Sequence, residues 1–314
     1  MIEVRGLTKN YGQRLAIDNL NFTVAKGEVV GFLGPNGAGK STTMKIITGY
    51  MAPTHGEVKV AGFDVFEKPV EVKRHIGYLP ETPPVYGDMK VDDYLAYVAR
   101  LKGISGVEVN AAVNRALDKT GLQESRKRMI QNLSKGFKQR VGLSQALVGE
   151  PEILILDEPT VGLDPKQVQE VRRLIQDLRG KHTIILSTHI LPEVQASCER
   201  IIIINRGKII AEDSLVGLAK RMGGGTRLTI KLRRNFEAVN QSIGALEGVL
   251  STRLEGNQIF AETDGKEETS ETVAAHVVEK GAGLIELRSE GRNLEDIFIQ
   301  LTSSSEAAHA KGTN

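Results

Sequence analysis

With a single cysteine, Cys198, the chain cannot close an internal disulfide, which is consistent with a reducing compartment, and the helical context of that residue reads as a buried thiol rather than a nucleophile. Long apolar runs are also missing. The longest, such as Ile153 to Leu156 and Ile201 to Ile204, fall far short of the roughly 20 residues a helix needs to cross a bilayer. Neither sign of charge dominates, with 41 basic and 39 acidic residues among 314, and that near balance argues against the footprint of a nucleic-acid binder. The six histidines lack the spacing of a metal site, and the opening MIEVRGLTKN lacks the charged-then-apolar pattern of a secretion signal. A chain of this length has room for one large domain and a small one.

What is present is concentrated in a few short patterns. Gly34 to Ser41, GPNGAGKS, matches G-x-x-x-x-G-K-[ST]. Glu28 to Leu33 before it is apolar and β-favouring, and Thr42 to Thr48 after it has helical spacing, so the glycines fall between a strand and a helix. In that context the loop reads as a phosphate cradle rather than a glycine-rich turn with a chance lysine. Gly34, Gly37 and Gly39 let consecutive N–H groups turn toward phosphate oxygens, with Pro35, Asn36 and Ala38 between them, and the helix that Thr42 continues adds its positive end. Lys40 then reaches the β- and γ-phosphates of a bound nucleotide, and the Ser41 hydroxyl takes a Mg²⁺ position.

Pro151 to Glu158, PEILILDE, is a strand pattern buried on both faces that ends in two acids. Such a strand cannot bury free charges cheaply, which puts Asp157 and Glu158 at its carboxyl end, where open α/β sheets bind ligands. Asp157 is the candidate Mg²⁺ holder and Glu158 the candidate base that polarises an attacking water. Taken alone, the pair could equally be the solvated start of a loop. The phosphate loop tips the reading toward a site.

The rest of the chain supplies organisation. Residues 1 to about 80 carry short strands, 85–149 is largely helical, and strand–helix alternation returns from 150 to about 220 with ILIL, TIIL and RIIIIN. MGGGT, Met222 to Thr226, is a flexible break. Past it the patterns predict strand 227–232, helix 236–246, strands 248–254 and 258–262, helix 268–280, strand 284–287 and a last helix 294–301. That order is the β-α-β-β-α-β of a ferredoxin-like unit, followed by a small, polar, disordered tail at 303–314.

Between the two candidate sites, Leu133 to Arg140 reads LSKGFKQR, which resembles the LSGGQQR signature of the nucleotide-binding subunits of ABC transporters. Leu133, Ser134, Gly136, Gln139 and Arg140 match; Lys135 and Phe137 depart. The resemblance covers residues 1 to about 220 and implies an α/β fold, a P-loop cassette with a mixed sheet and a helical signature subdomain, plus the small α+β unit. It further implies that Ser134 and Gly136 grip the γ-phosphate bound by a second copy, so that a homodimer closes head to tail around two ATPs. Tyr11, in KNYG, matches the aromatic that stacks on adenine without strong base discrimination. Asp164, in GLDP, matches a loop residue that reaches across the dimer, and His189 matches the switch histidine at the γ-phosphate. Glu81, in IGYLPE, stands where most members carry glutamine; it can meet Mg²⁺ or orient water, but it adds negative charge beside phosphates.

The domains implied are an ATPase domain over 1–221, an accessory domain over 226–302, and the tail. Within the family, the single cassette, the LSKG form and the appended domain look most like export-type (ABC-2) subunits, similar to gliding-motility and drug-export ATPases. The expected function is the ATP-hydrolysing motor of an exporter, with separate integral membrane permease subunits, at the inner face of the cell membrane. A non-transport ABC ATPase acting on nucleic acid or ribosomes is the alternative. Such chains usually carry two cassettes or a long coiled-coil insertion, whereas one cassette occurs here and the interval from Lys40 to Ser134 holds no sustained heptads. No nucleic-acid partner is therefore expected.

Overall fold

Strands that are apolar or small along nearly their whole length need cover on both faces, and three such segments, Val29–Leu33, Ile153–Asp157 and Thr183–Thr188, set the architecture. The computed structural model describes residues 1–215, 217, 218, 226–291 and 298. Two compact units make up the chain, Met1–Glu212 and Asp213–Asn314. The first begins with β1 (Ile2–Tyr11), β2 (Arg14–Val24), β3 (Val29–Leu33), α1 (Lys40–Ile47), β4 (His55–Val60) and β5 (Phe63–Asp64). It continues through α2 (Pro69–His75), β6 (Ile76–Leu79), α3 (Val91–Leu101), α4 (Gly106–Thr120) and α5 (Lys135–Leu147). It closes with β7 (Ile153–Asp157), α6 (Pro165–Leu178), β8 (Thr183–Thr188), α7 (Leu191–Ser197), β9 (Arg200–Asn205) and β10 (Lys208–Ser214).

The strands form two sheets. β2-β1-β4-β5 is antiparallel, and its alternating apolar positions, such as Ile2, Val4, Val58 and Val60, turn toward a core shared with α1. The second sheet runs β10-β9-β3-β8-β7-β6, with β9, β3, β8, β7 and β6 mutually parallel. β3, β7 and β8 are buried along their whole length. Each fully buried Val, Leu or Ile contributes about 1.5–3 kcal/mol, so this register is strongly specified. Because these strands are parallel, the segments after Leu33, Asp157 and Thr188 emerge on one edge, and they bring Lys40, at the start of α1, together with Glu158 and His189. The helical stretch builds a separate core of α3, α4 and α5 around Leu95, Val113, Leu117 and Val141.

The second unit holds β11 (Thr226–Leu232), α8 (Phe236–Gly244), β12 (Val249–Glu255), β13 (Gln258–Thr263), α9 (Glu267–Glu279) and β14 (Leu284–Gly291). Its antiparallel sheet runs β12-β13-β11-β14, and Leu228, Ile230, Ile259 and Ala261 meet Val239, Ile243, Val273 and Val277 of the two helices. β14 runs four residues beyond the predicted Leu287 because backbone pairing with β11 continues to Thr226↔Gly291 where apolar periodicity has ceased. The glycine run at 223–225, the predicted helix 294–301 and the tail 303–314 lie outside the described residues, apart from residue 298. No helix among the described residues is long and apolar enough to cross a membrane.

Candidate functional site

The loop between β3 and α1 is shaped by two close approaches. A Cβ on Gly34 would lie 2.3 Å from the Ile204 carbonyl oxygen, and Gly39, the residue before α1, has φ 108 and would place a Cβ 2.8 Å from the Ala16 oxygen. Only glycine fits either place. Ala38 is buried and its N–H donates to the Pro35 carbonyl, closing the loop. Lys40 is 5% exposed, and its Nζ donates to the carbonyl oxygens of Gly34 (2.8 Å) and Pro35 (3.2 Å). The same Nζ stands 3.4 Å from Glu158 Oε1.

Asp157 and Glu158 end β7 on this edge, but they are not solvated as the cost of burying charge suggests: their exposures are 1% and 5%. Partners supply the reason. Ser187 Oγ donates to Asp157 Oδ1 at 2.7 Å, and the Ser41 hydroxyl also bonds this carboxylate. Burial pushes the Asp157 carboxyl above the ordinary carboxylate range, the charges of Glu158 and Glu81 push the same way, and the two hydroxyls hold it back. Glu158 faces Lys40 with one oxygen and His189 with the other, Nδ1 to Oε2 at 2.9 Å. Its backbone is left-handed, φ 50, a conformation that costs a non-glycine residue about 1–3 kcal/mol and persists only where neighbours enforce it. One such neighbour is the Ser187 carbonyl, which accepts the Glu158 N–H at 2.8 Å.

A cavity of about 480 Å³ opens over these groups, of a size for a nucleotide. Asn36, Gly37, Gly39, Lys40, Ser41, Thr42, Glu81, Glu158 and His189 line it, as does Tyr11, which is 45% exposed with its hydroxyl against Met51 Sδ at 2.9 Å. Arg14, Ala16 and Val161 also line it and were not legible in the sequence. The first two follow the turn after β1, and no motif marks them. Ser41, Asp157 and Glu81 are hard oxygen donors, and the raised Asp157 carboxyl among other acids fits a divalent cation such as Mg²⁺. No group of three or more His, Cys, Asp or Glu side chains able to hold a metal by itself occurs among the described residues.

Ser134, Gly136 and Asp164 do not line this cavity. Ser134 starts α5 and accepts the Phe137 N–H at 3.4 Å; Asp164 starts α6 and accepts the Gln167 N–H at 2.9 Å. The two helix starts pack together, since a Cβ on Gly136 would meet Gln167 and one on Gly162 would meet the Lys135 ammonium. The departures Lys135 and Phe137 therefore have local roles. Lys135 crosses the GLDP turn, and the Phe137 ring lies under the Arg140 guanidinium (5.1 Å), which pairs with Glu170.

Known proteins resemble this chain in sequence and in fold. The profile of the ABC transporter family matches residues 17–161. The bacitracin transport ATP-binding protein of Bacillus licheniformis is 32% identical over 311 residues, covering 96% of this chain and 97% of its own length. The lantibiotic transport ATP-binding protein of Streptococcus pyogenes is 38% identical over 218 residues, covering 69% of this chain and 92% of its own. Among solved structures, an ATP-binding subunit of an ABC transporter superposes with a TM-score of 0.66 at 32% identity, over 71% of this chain and 93% of its own. A dimeric ATP-binding cassette in a post-hydrolysis state with ADP and Pi gives 0.63 at 27% identity, over 68% and 99%.

Proposed function

The chain belongs to the ABC transporter family as its ATP-hydrolysing motor subunit, and from that premise we propose how its residues perform the work. ATP lies with its phosphates along Gly34 to Ser41 and the N-terminus of α1, and with adenine against Tyr11. Lys40 exchanges its carbonyl partners and Glu158 for the β- and γ-phosphates. Ser41, Asp157 and Glu81 would hold Mg²⁺, which would offset phosphate charge and relieve the crowded carboxylates. Glu158 accepts the proton of the attacking water, and His189 keeps that carboxylate aimed through Nδ1 while its other ring nitrogen meets the γ-phosphate.

The observation that carries this reading is the convergence of Lys40 and His189 on the two oxygens of Glu158 at one wall of the cavity. Glu158→Gln tests it. ATP binding is expected to persist while hydrolysis falls by about 10² or more, the contribution of a positioned base. Near-normal turnover would move the base elsewhere, first to Glu81.

Ser134, Gly136 and Asp164 complete the γ-phosphate site of a second copy, so the active form is an ATP-bound homodimer; their placement outside the chain's own cavity supports this. The relatives named for bacitracin and lantibiotic transport support export, with the chain held by membrane subunits at the inner face of the cell membrane. Two adjoining cavities of about 500 and 520 Å³ support a docking place for those subunits. Five of the six tyrosines, Tyr50, Tyr78, Tyr86, Tyr94 and Tyr97, line the second, with Lys45, Lys73, Arg74 and Lys102 distributed between the two. Apolar faces with polar tips among cations suit an amphipathic helix with acidic side chains. Residues 1–221 form the ATPase domain and 226–302 an accessory domain; the division into two compact units supports two domains but falls earlier, after Glu212. A chain ending at residue 221 that fails to bind ATP would contradict that boundary.

A further inference from the structure

Glu193, in the first turn of α7, is 2% exposed and takes part in no ion pair among the described residues. Its carboxylate instead receives two hydroxyls from two other segments. Thr160 Oγ1 donates to Oε1, and Thr188 Oγ1 donates to Oε2 at 2.8 Å. Thr160 lies two residues beyond Glu158, and Thr188 immediately precedes His189. The Thr188 hydroxyl also accepts the Ile190 N–H at 3.1 Å, which fixes its orientation, and the Thr188 carbonyl accepts the Gly34 N–H at 3.3 Å.

We propose that Glu193 is a positioning residue of the hydrolytic site, tying the segment after Glu158 to the strand end that carries His189. Three features of the structure lead there. A buried carboxylate is costly unless its oxygens are bonded, and here each oxygen is used on one of the two segments whose separation sets the Glu158–His189 contact. Glu158 holds a left-handed backbone that needs enforcement from both sides. The Ser187 carbonyl supplies one side, upstream of the turn, and the Thr160–Glu193 bond supplies the other, downstream of it. The clamp also reaches the phosphate loop through Gly34, so a single buried acid sets the relative places of the loop, the base and the histidine.

The inference rests on the proposed roles of Glu158 and His189, and the variants separate the two. In the full-length chain, Thr160→Val removes one arm of the clamp at nearly constant volume and leaves the charge in place. Turnover is expected to fall about tenfold or more while the Kd for ATP changes by about twofold or less, because the loss falls on the transition state. The pH profile of kcat is expected to shift as well, since the His189–Glu158 separation changes. Thr160→Ser, which returns the hydroxyl, recovers most of the lost turnover. Glu193→Gln keeps one acceptor and gives an intermediate loss. The proposal is overturned if Thr160→Val and Glu193→Gln, folded by thermal denaturation, keep kcat and its pH profile, or if ATP binding and turnover fall together and Thr160→Ser rescues neither. If Glu158→Gln itself turns over normally, the underlying assignment has failed instead.

Discussion

The starts of α1 and α5 are built from the same materials, glycine and a hydroxyl at a helix N-terminus, and they face opposite circumstances. At α1 no side chain caps the helix, the glycines press against Ile204 and Ala16, and the N–H groups open into a cavity that also contains Glu158 and His189. At α5 the hydroxyl of Ser134 caps its own helix, Ser134 and Lys135 are exposed, and neither lines the chain's own cavity. A helix start carries the positive end of a dipole in both cases. In the function proposed above, the concave wall around α1 makes it the phosphate site, and at α5 a second copy of the chain would supply that wall.

Substitutions at the two ends sharpen this contrast. The largest effect is expected from Ser134→Arg, which puts bulk and charge on the α5 face. Turnover should fall by about 10² or more, as when a group acting only in the transition state is lost, with ATP binding to the isolated chain retained. Loss of ATP binding in equal measure would mean that α5 belongs to the cis site. Next comes the tyrosine groove, remote from both ends. Leu101→Asp, at a position 68% exposed, places an acid among the groove's apolar contacts and is expected to abolish co-purification with membrane subunits while ATP binding persists. Retained co-purification would remove the groove from the docking surface.

Smaller effects follow at the α1 end. If the Glu81 carboxylate meets Mg²⁺ as an amide does, Glu81→Gln changes the Mg²⁺ requirement of hydrolysis by about a few-fold and does not abolish it. Complete loss in a folded protein would give Glu81 a chemical role. The smallest effect is a control in the groove. Burial lowers the Lys102 ammonium to about 8, and its Nζ donates to the Ile76 carbonyl at 3.2 Å. Unfolding raises this group toward its ordinary 10.5, so the unfolded chain binds the extra proton between about 8 and 10.5, and stability contributed by this site rises with pH across that window. Lys102→Met removes the penalty, and its melting temperature at pH 7 should rise by about a few degrees. A lower melting temperature would show that the ammonium stabilises the fold through its hydrogen bond.

The phosphate loop, the acid strand and His189 were legible in the sequence because each is a local pattern: an apolar run followed by a polar residue at its end. Parallel pairing of β3, β7 and β8 then brings the three ends to one edge, which the strand–helix alternation already implied. Other parts depend on distance in space and left no trace. Glu193 looks like an ordinary acid in the first turn of a helix, and its link to Thr160 crosses 33 residues. The burial of Asp157 and Glu158 was obscured for the same reason, since Ser187, Lys40 and His189 reach them from other segments. The tyrosines of the groove are scattered from 50 to 97 and meet only through the packing of β6 and α3 with the segments beside them. Lys135 and Phe137, read as departures from a signature, turn out to pack on the GLDP turn and on Arg140.

The contrast between α1 and α5 is tested most directly by mixing two inactive chains, Lys40→Ala and Ser134→Arg, and measuring ATP hydrolysis of the mixed dimer isolated through two different tags. If each site takes Lys40 from one copy and Ser134 from the other, one site of that dimer carries both lesions and the other neither, and turnover returns to about half of the wild-type rate per dimer where the sites fire independently. ATP binding in the same sample should be found at one site per dimer, that of the Ser134→Arg chain, whose own Lys40 is intact. A mixed dimer that forms and binds ATP at that site, yet hydrolyses it no faster than the two chains do alone, would contradict a shared site and return Ser134 to the role of an ordinary helix cap.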